Sequence, residues 1–359
     1  MSENEKIDTN GAEPTLSAEL PVISVVVPIR NEERFIARTL DYILTQDYPD
    51  DKLEVLVVEG QSDDNTVEIV KSIADSDHRV TILDNPKRRS SAARNIGAEA
   101  ATGEIVTFID GHVYIDNDQL LKNTALLMSE KDVSTLSRPQ ILDTPENSFF
   151  QEAVSIARKS TLGHGLDSTI YSMREDYVDP TSSGASYKQE VFEKAGYFNE
   201  EFDAAEDVEY NYRVSKAGFK SYTSPKLAVY YYPRDSLAGL FKQLTRYGVG
   251  RFRFMRKHSE AISSGALIPA VYFFGLVCLM VLSLLSEQVR PVLDIYIGVY
   301  LAGILLGSLL VAMKKGIEFL FILPAIYLCI HGGLAWGFLS EAARSFSAKR
   351  EEKSLHIWP

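Results

Sequence analysis

The chain has 359 residues, room for one large domain or two ordinary ones, and at 45% hydrophobic and 24% charged it can bury a sizeable core. A formal net charge of −12 argues against a general nucleic-acid binder. Its two cysteines, Cys278 and Cys329, sit in strongly apolar segments, which leaves a disulfide framework or a cysteine zinc site without support.

The first twenty residues are polar, acidic and small, with no basic start and no apolar core. They read as a disordered tail rather than a secretory signal, so the catalytic part is expected in the cytoplasm. The run Val22–Pro28 is a buried strand, and Ile36, Leu40, Ile43 and Leu44 then mark one face of a helix. A second strand, Leu53–Val58, ends at Glu59-Gly60, and Ser62-Asp63-Asp64 offers a cap for a helix carrying Val67, Val70, Ile73 and Ala74. A third strand over Val80–Leu83 leads to a basic loop, and an alanine-rich helix from Ser91 to Ala101 delivers a fourth strand. Strand–helix alternation repeated four times predicts an α/β fold with a doubly wound, largely parallel sheet. From about Asp132 the alternation dissolves, and Tyr222–Tyr232 reads as a late strand returning to the sheet.

The last hundred residues hold three long apolar runs, Ala266–Leu285, Ile295–Met313 and Ile317–Leu339. Each is long enough to cross a hydrocarbon core of about 30 Å. Basic residues before the first run, between the second and third, and after the third all favour the cytoplasmic side. Three full crossings would put the last group outside. Pro324 and Gly332-Gly333 could instead break the third run into a re-entrant hairpin, the alternative to three spans. The expected partition is a tail over 1–20, a catalytic domain over 21–235, an amphipathic interfacial region over 236–262, membrane segments over 263–341 and a basic tail over 342–359.

The chemistry gathers at strand ends. The apolar run Ile105–Ile109 stops abruptly at Asp110-Gly111-His112. Ligands of open α/β sheets bind at the carboxyl ends of such strands, and a carboxylate and an imidazole two residues apart can face one ion there. Pro28, Arg30, Asn31, Glu32 and Glu59 occupy the first two strand ends, where they can cradle a nucleobase. Arg94 can hold diphosphate charge.

These motifs, in this order, resemble glycosyltransferase family 2, over roughly Val22–His258. Pro28–Glu33 is similar to that family's opening loop, Val57–Thr66 to its second strand-end motif, and Ala93–Gly97 with Ala101–Glu104 to its run into the metal site. The resemblance implies a GT-A fold, a nucleotide-sugar donor, and a divalent cation at Asp110 and His112. Two positions depart from the family: Glu59 stands where an aspartate for uracil recognition is usual, and His112 where Asp-X-Asp is usual. Asp-X-His, Asn85–Arg88 and the basic run Tyr247–His258 resemble a succinoglycan-type subgroup. Imidazole in place of a carboxylate suits Mn²⁺ better than Mg²⁺.

By the same resemblance, Glu206-Asp207 is the catalytic acidic pair with Asp207 as general base, although adjacent acids also simply favour a helix N-terminus. Gly184 falls in the acceptor-side glycine loop. Gln243, Arg246 and Tyr247 match the Gln-X-X-Arg-aromatic pattern of membrane-linked relatives, while an interfacial helix on anionic lipid would place Lys257 and His258 at headgroups. The implied function is an inverting, membrane-anchored transferase moving a hexose, UDP-glucose first, to a polyprenyl-diphosphate-linked acceptor for a surface polysaccharide. A processive polysaccharide synthase and a catalytically degenerate membrane scaffold are the alternatives.

Overall fold

The computed structural model describes residues 20–164, 170–261 and 264–355, so all but the last residue of the expected N-terminal tail lies outside the described residues. The elements open with β1 (Ile23–Ile29), α1 (Ile36–Leu44), β2 (Leu53–Glu59), α2 (Thr66–Ala74), β3 (Val80–Asp84), α3 (Ser90–Ala100) and β4 (Ile105–Phe108). They continue as β5 (Val113–Tyr114), α4 (Leu120–Glu130), β6 (Thr135–Ser137), β7 (Gln140–Ile141), α5 (Phe149–Lys159) and β8 (Asp176–Val178). Next come β9 (Gly184–Lys188), α6 (Gln189–Ala195), α7 (Glu206–Lys216), β10 (Ser221–Thr223) and β11 (Val229–Tyr231). Four long helices close the chain: α8 (Leu237–Lys257), α9 (Ser264–Leu285), α10 (Arg290–Lys315) and α11 (Glu318–Leu355).

The main sheet has the order β3-β2-β1-β4-β9-β6-β10-β8. Its first four strands are parallel, and β9 runs antiparallel to both β4 and β6. A small second sheet, β5-β11-β7, stands beside it. Side chains alternate across β1. Val25 and Val27 join Ile36, Leu40 and Val70 beneath α1 and α2, whereas Val26 joins Ala93, Phe108, Tyr187 and Tyr210 beneath α3 and α7. Two buried layers on one strand explain its unbroken run of aliphatics.

The late strand expected over Tyr222–Tyr232 is two strands in two sheets. Pro225 carries no N–H and opens a helical turn at Pro225–Leu227, so β10 stays in the main sheet while β11 crosses to the small one. At the start of α2, Asp64, one of the three expected cap residues, accepts from both Thr66 N and Thr66 Oγ1 at Oδ1, while Asn65 at the N-cap position itself makes no side-chain cap.

Three C-terminal helices are long and apolar enough to cross a membrane. Neither Pro324 nor the Gly332-Gly333 pair breaks the third, because α11 runs on through both. One face of α11 is docked along its length. Its Leu323, Ile326 and Tyr327 meet Ala153, Val154 and Ala157 of α5, and further along Phe338 meets Phe252 of α8. Arg253 then pairs with Glu341 at 2.8 Å, and Arg256 Nη1 donates to Ser345 Oγ. Lys257 and His258, expected at lipid headgroups, instead reach Glu209 of α7 at 3.0 and 3.2 Å, because that buried carboxylate needs cationic partners.

Candidate active site

A cavity of about 600 Å³ opens beyond the carboxyl ends of β1 and β4 and extends to α5 and α8. On its wall it collects Pro28, Arg30 and Glu32 from the end of β1 onward, Arg94 from α3, and Asp110 and His112 after β4. Glu206 and Asp207 at the start of α7, and Gln243, Arg246 and Tyr247 from α8, line it too.

Arg94 organises the carboxylates. Its Nη2 donates to Asp110 Oδ1 at 2.9 Å, its Nε lies 3.7 Å from Glu206 Oε1, and its guanidinium stacks 5.3 Å over the Phe108 ring. Burial would push the Asp110 carboxyl up, but Arg94 and then His112 hold it below the ordinary aspartate value. Glu206 goes the other way: burial and then the adjacent Asp207 charge raise it. Asp207 itself is exposed on the cavity wall. Two neighbouring acids are thus split into a buried one tied to Arg94 and an open one free to meet an acceptor. The turn that presents them is strained, since Ala205 caps α7 in the left-handed region at φ 60°.

His112 Nδ1 lies 2.9 Å from Glu32 Oε1. Burial would lower the imidazole, yet the Glu32 hydrogen bond and the Asp110 charge raise it above the ordinary histidine value. Gly111 makes this pairing possible: a Cβ there would sit 2.7 Å from Ile29 Cγ2 and 3.2 Å from Glu32 Cγ. A carboxylate on one ring nitrogen is the usual support of a metal-binding histidine, fixing the tautomer that leaves Nε2 for the ion. An ionised Asp110 and an oriented imidazole on one cavity wall fit a divalent cation. Among the described residues no group of three or more potential metal ligands converges, so such a cation would draw its remaining oxygens from substrate.

Three expected site residues are engaged elsewhere. Glu59 accepts from Gln61 N and Ser62 N at 2.9 and 2.6 Å, so both oxygens shape the loop after β2. Asn31, at φ 57°, donates its N–H to Ser62 Oγ and accepts Asp63 N at Oδ1, latching the first loop to the second. Gly184 is pressed against α7, where Asn211 Nδ2 donates to its carbonyl and a Cβ would collide with the Asn211 side chain. Each is a short-range packing role that residue type alone does not separate from ligand contact.

Arg138, Arg158, Tyr171 and Tyr231 were missed. The first is buried and donates to Phe108 O and Thr107 Oγ1, holding the end of β4; the other three line the cavity. The short β6, β7 and β11 gave no periodic signal to place Arg138 or Tyr231.

The family model described as Glycosyl transferase family 2 matches residues 24–196. The succinoglycan biosynthesis protein ExoA of Rhizobium meliloti is 30% identical over 68% of this chain and 73% of its own. A Methanococcus voltae enzyme, dolichyl N-acetyl-alpha-D-glucosaminyl phosphate 3-beta-D-2,3-diacetamido-2,3-dideoxy-beta-D-glucuronosyltransferase, is 25% identical over 88% of this chain and 95% of its own. Among solved structures, the Pyrobaculum calidifontis mannosyltransferase PcManGT, in complex with GDP-Man and Mn2+, superposes with a TM-score of 0.56 at 20% identity, covering 89% of this chain and 88% of that one. That likeness identifies the GT-A fold. With its motifs in family order and its acidic pair beside the cavity, the chain belongs to glycosyltransferase family 2.

Proposed function

We propose that this glycosyltransferase moves a hexose, UDP-glucose first among donors, onto a saccharide carried by a polyprenyl diphosphate, as a step in surface-polysaccharide assembly. The observation that carries the reading is one cavity that joins the nucleotide-side strand ends to α8, which lies against the apolar helix α11. The relatives' names support the acceptor class: one carries a dolichyl phosphate sugar in its name, another belongs to succinoglycan biosynthesis.

In this reading the Asp207 carboxylate takes the proton of the acceptor hydroxyl, and that oxygen attacks the anomeric carbon from the face opposite the diphosphate. The bond from C1 to the diphosphate oxygen breaks, and the configuration inverts. Glu206 keeps Arg94 in place, and Arg94 in turn holds Asp110. A divalent cation held by Asp110 and His112 would neutralise charge on the departing diphosphate. With one imidazole and one carboxylate as protein ligands, Mn²⁺ is expected to support faster turnover than Mg²⁺ at saturation, and equal rates would contradict the assignment of His112.

The catalytic domain is read as cytoplasmic, with α9 and α10 anchoring it in the cell membrane. Purified chain in detergent, given a panel of labelled nucleotide sugars and polyprenyl-diphosphate-linked sugars, tests the whole reading. UDP-glucose is expected to label the lipid-linked product. Labelling only from another nucleotide sugar would reject the donor, and hydrolysis without transfer would reject the acceptor class.

A further inference from the structure

Toward the apolar helices the cavity wall carries a second group of cations, apart from those at the strand ends. Arg158 of α5 and Lys242 and Arg246 of α8 line this part, with Tyr171 and Tyr247. Arg158 Nη2 donates to Tyr171 Oη at 2.9 Å, and its guanidinium lies 5.7 Å over the Tyr247 ring. Arg246 spends one nitrogen on Asp203 O at 2.8 Å.

Among the described residues none of Arg158, Lys242 and Arg246 forms an ion pair with a carboxylate, although the cations around them on α7 and α8 do. His164, whose ring lies 4.7 Å from that of Tyr171, keeps Nε2 buried without a hydrogen-bond partner. The half-buried Arg158 needs compensating charge, and an unpaired polar atom beside its Tyr171 partner marks a place where a ligand oxygen fits. The helices that present the cluster rest their apolar faces, Ala153, Val154 and Ala157 of α5 and Leu240 and Leu244 of α8, on α11. An anion here would therefore sit between Asp207 and the membrane-facing helices.

We infer that Arg158, Arg246 and Lys242, with Tyr171, bind the phosphate or diphosphate that joins the acceptor sugar to its lipid. Guanidinium forks suit phosphoryl oxygens, and Tyr171 and Tyr247 fix the Arg158 fork in advance. The inference deepens the lipid-linked acceptor reading and rests on it.

The test measures binding of geranylgeranyl diphosphate, geranylgeranyl phosphate and geranylgeraniol to the full chain in detergent, without nucleotide sugar. Both phosphorylated probes are expected to bind at least tenfold tighter than the alcohol. Arg158→Gln and Arg246→Gln should each lose about tenfold or more for the phosphorylated probes, a charge-assisted hydrogen bond's worth, and nothing for the alcohol. Melting temperature without ligand monitors the fold of each variant. Should either arginine variant unfold, Lys242→Gln, at an exposed position, must still lower phosphorylated-probe affinity.

Equal binding of all three probes would overturn the inference, as would folded variants that bind the phosphorylated probes like the wild type. So would equal competition by phosphatidylglycerol in bicelles at the same phosphate concentration, which would make the cluster a general headgroup site. A chain that binds the probes as expected yet transfers no hexose keeps the anion site and loses the hexosyltransfer reading.

Discussion

Glu209 shows how a single carboxylate can join two parts of the protein. Its side chain is fully buried, and Arg213, Lys257 and His258 surround it at 3.0 to 3.2 Å. Burial would raise its pKa, but those partners, Arg213 foremost, hold it below the ordinary glutamate value. A depressed folded pKa contributes stability that is present at neutral pH, above the unfolded value, and is lost as pH falls through the acidic range. Glu209→Gln should therefore cost about 3–5 kcal/mol at pH 7, since Arg213 and Lys257 lose their counter-charge, and much less near pH 3. Thermal melting against pH checks this; a pH-independent cost would assign the loss to packing.

The strand ends were legible because family 2 motifs and buried-strand runs coincide there, and Pro28 and Asp110 share one cavity with Arg94 of α3 and Asp207 of α7. The loop and packing contacts of Glu59, Asn31 and Gly184 were not legible. A carboxylate that caps its own loop and one that meets a base look the same in sequence.

At the scale of elements, α8 couples the acidic pair to α11 through glycines. A Cβ at Gly250 would collide with Ala204 O and come 2.9 Å from Ala205 Cβ, in the strained turn before Glu206. On the same helix, Gly248 lies against Leu334 O and Phe338 N, and Gly337 of α11 lies against Thr245 O. Small residues let these backbones approach as membrane helices do. Gly250→Val must push α8 off the 204–205 turn, so turnover is expected to fall by about tenfold or more, in line with misplacement of a catalytic group. Nucleotide-sugar binding at the far strand ends should persist, and a variant of full activity would show that α8 does not fix the turn. The amphipathic pattern of α8 was readable in sequence. Its partner was not, since the same basic stripe serves lipid headgroups or Glu341 and Ser345.

For the whole molecule, the docking of α11 bears on the charge pattern that three crossings leave unexplained. α10 ends at Lys315, whose charge reaches Asp143 of the catalytic domain. α11 begins there, with Phe319 against Phe149, and Glu341 still touches Arg253 of α8. A helix held at both ends in this way is expected to lie along the membrane surface, with α9 and α10 as the crossing hairpin. All three basic clusters would then fall on the catalytic side. A cysteine placed at Ser345 should react with a membrane-impermeant maleimide only from the side that exposes one placed at Ser76, in oriented vesicles. Labelling from opposite sides would restore a third crossing.

The central claim is that Asp207, open on the cavity wall beside a buried Glu206, is the base of a family 2 transfer. The most direct measurement compares Asp207→Asn with wild type for turnover and for nucleotide-sugar affinity in the same preparation. Turnover should fall by about two to four decades, the range of a general base, while donor affinity stays within about twofold. Wild-type turnover in Asp207→Asn would contradict it.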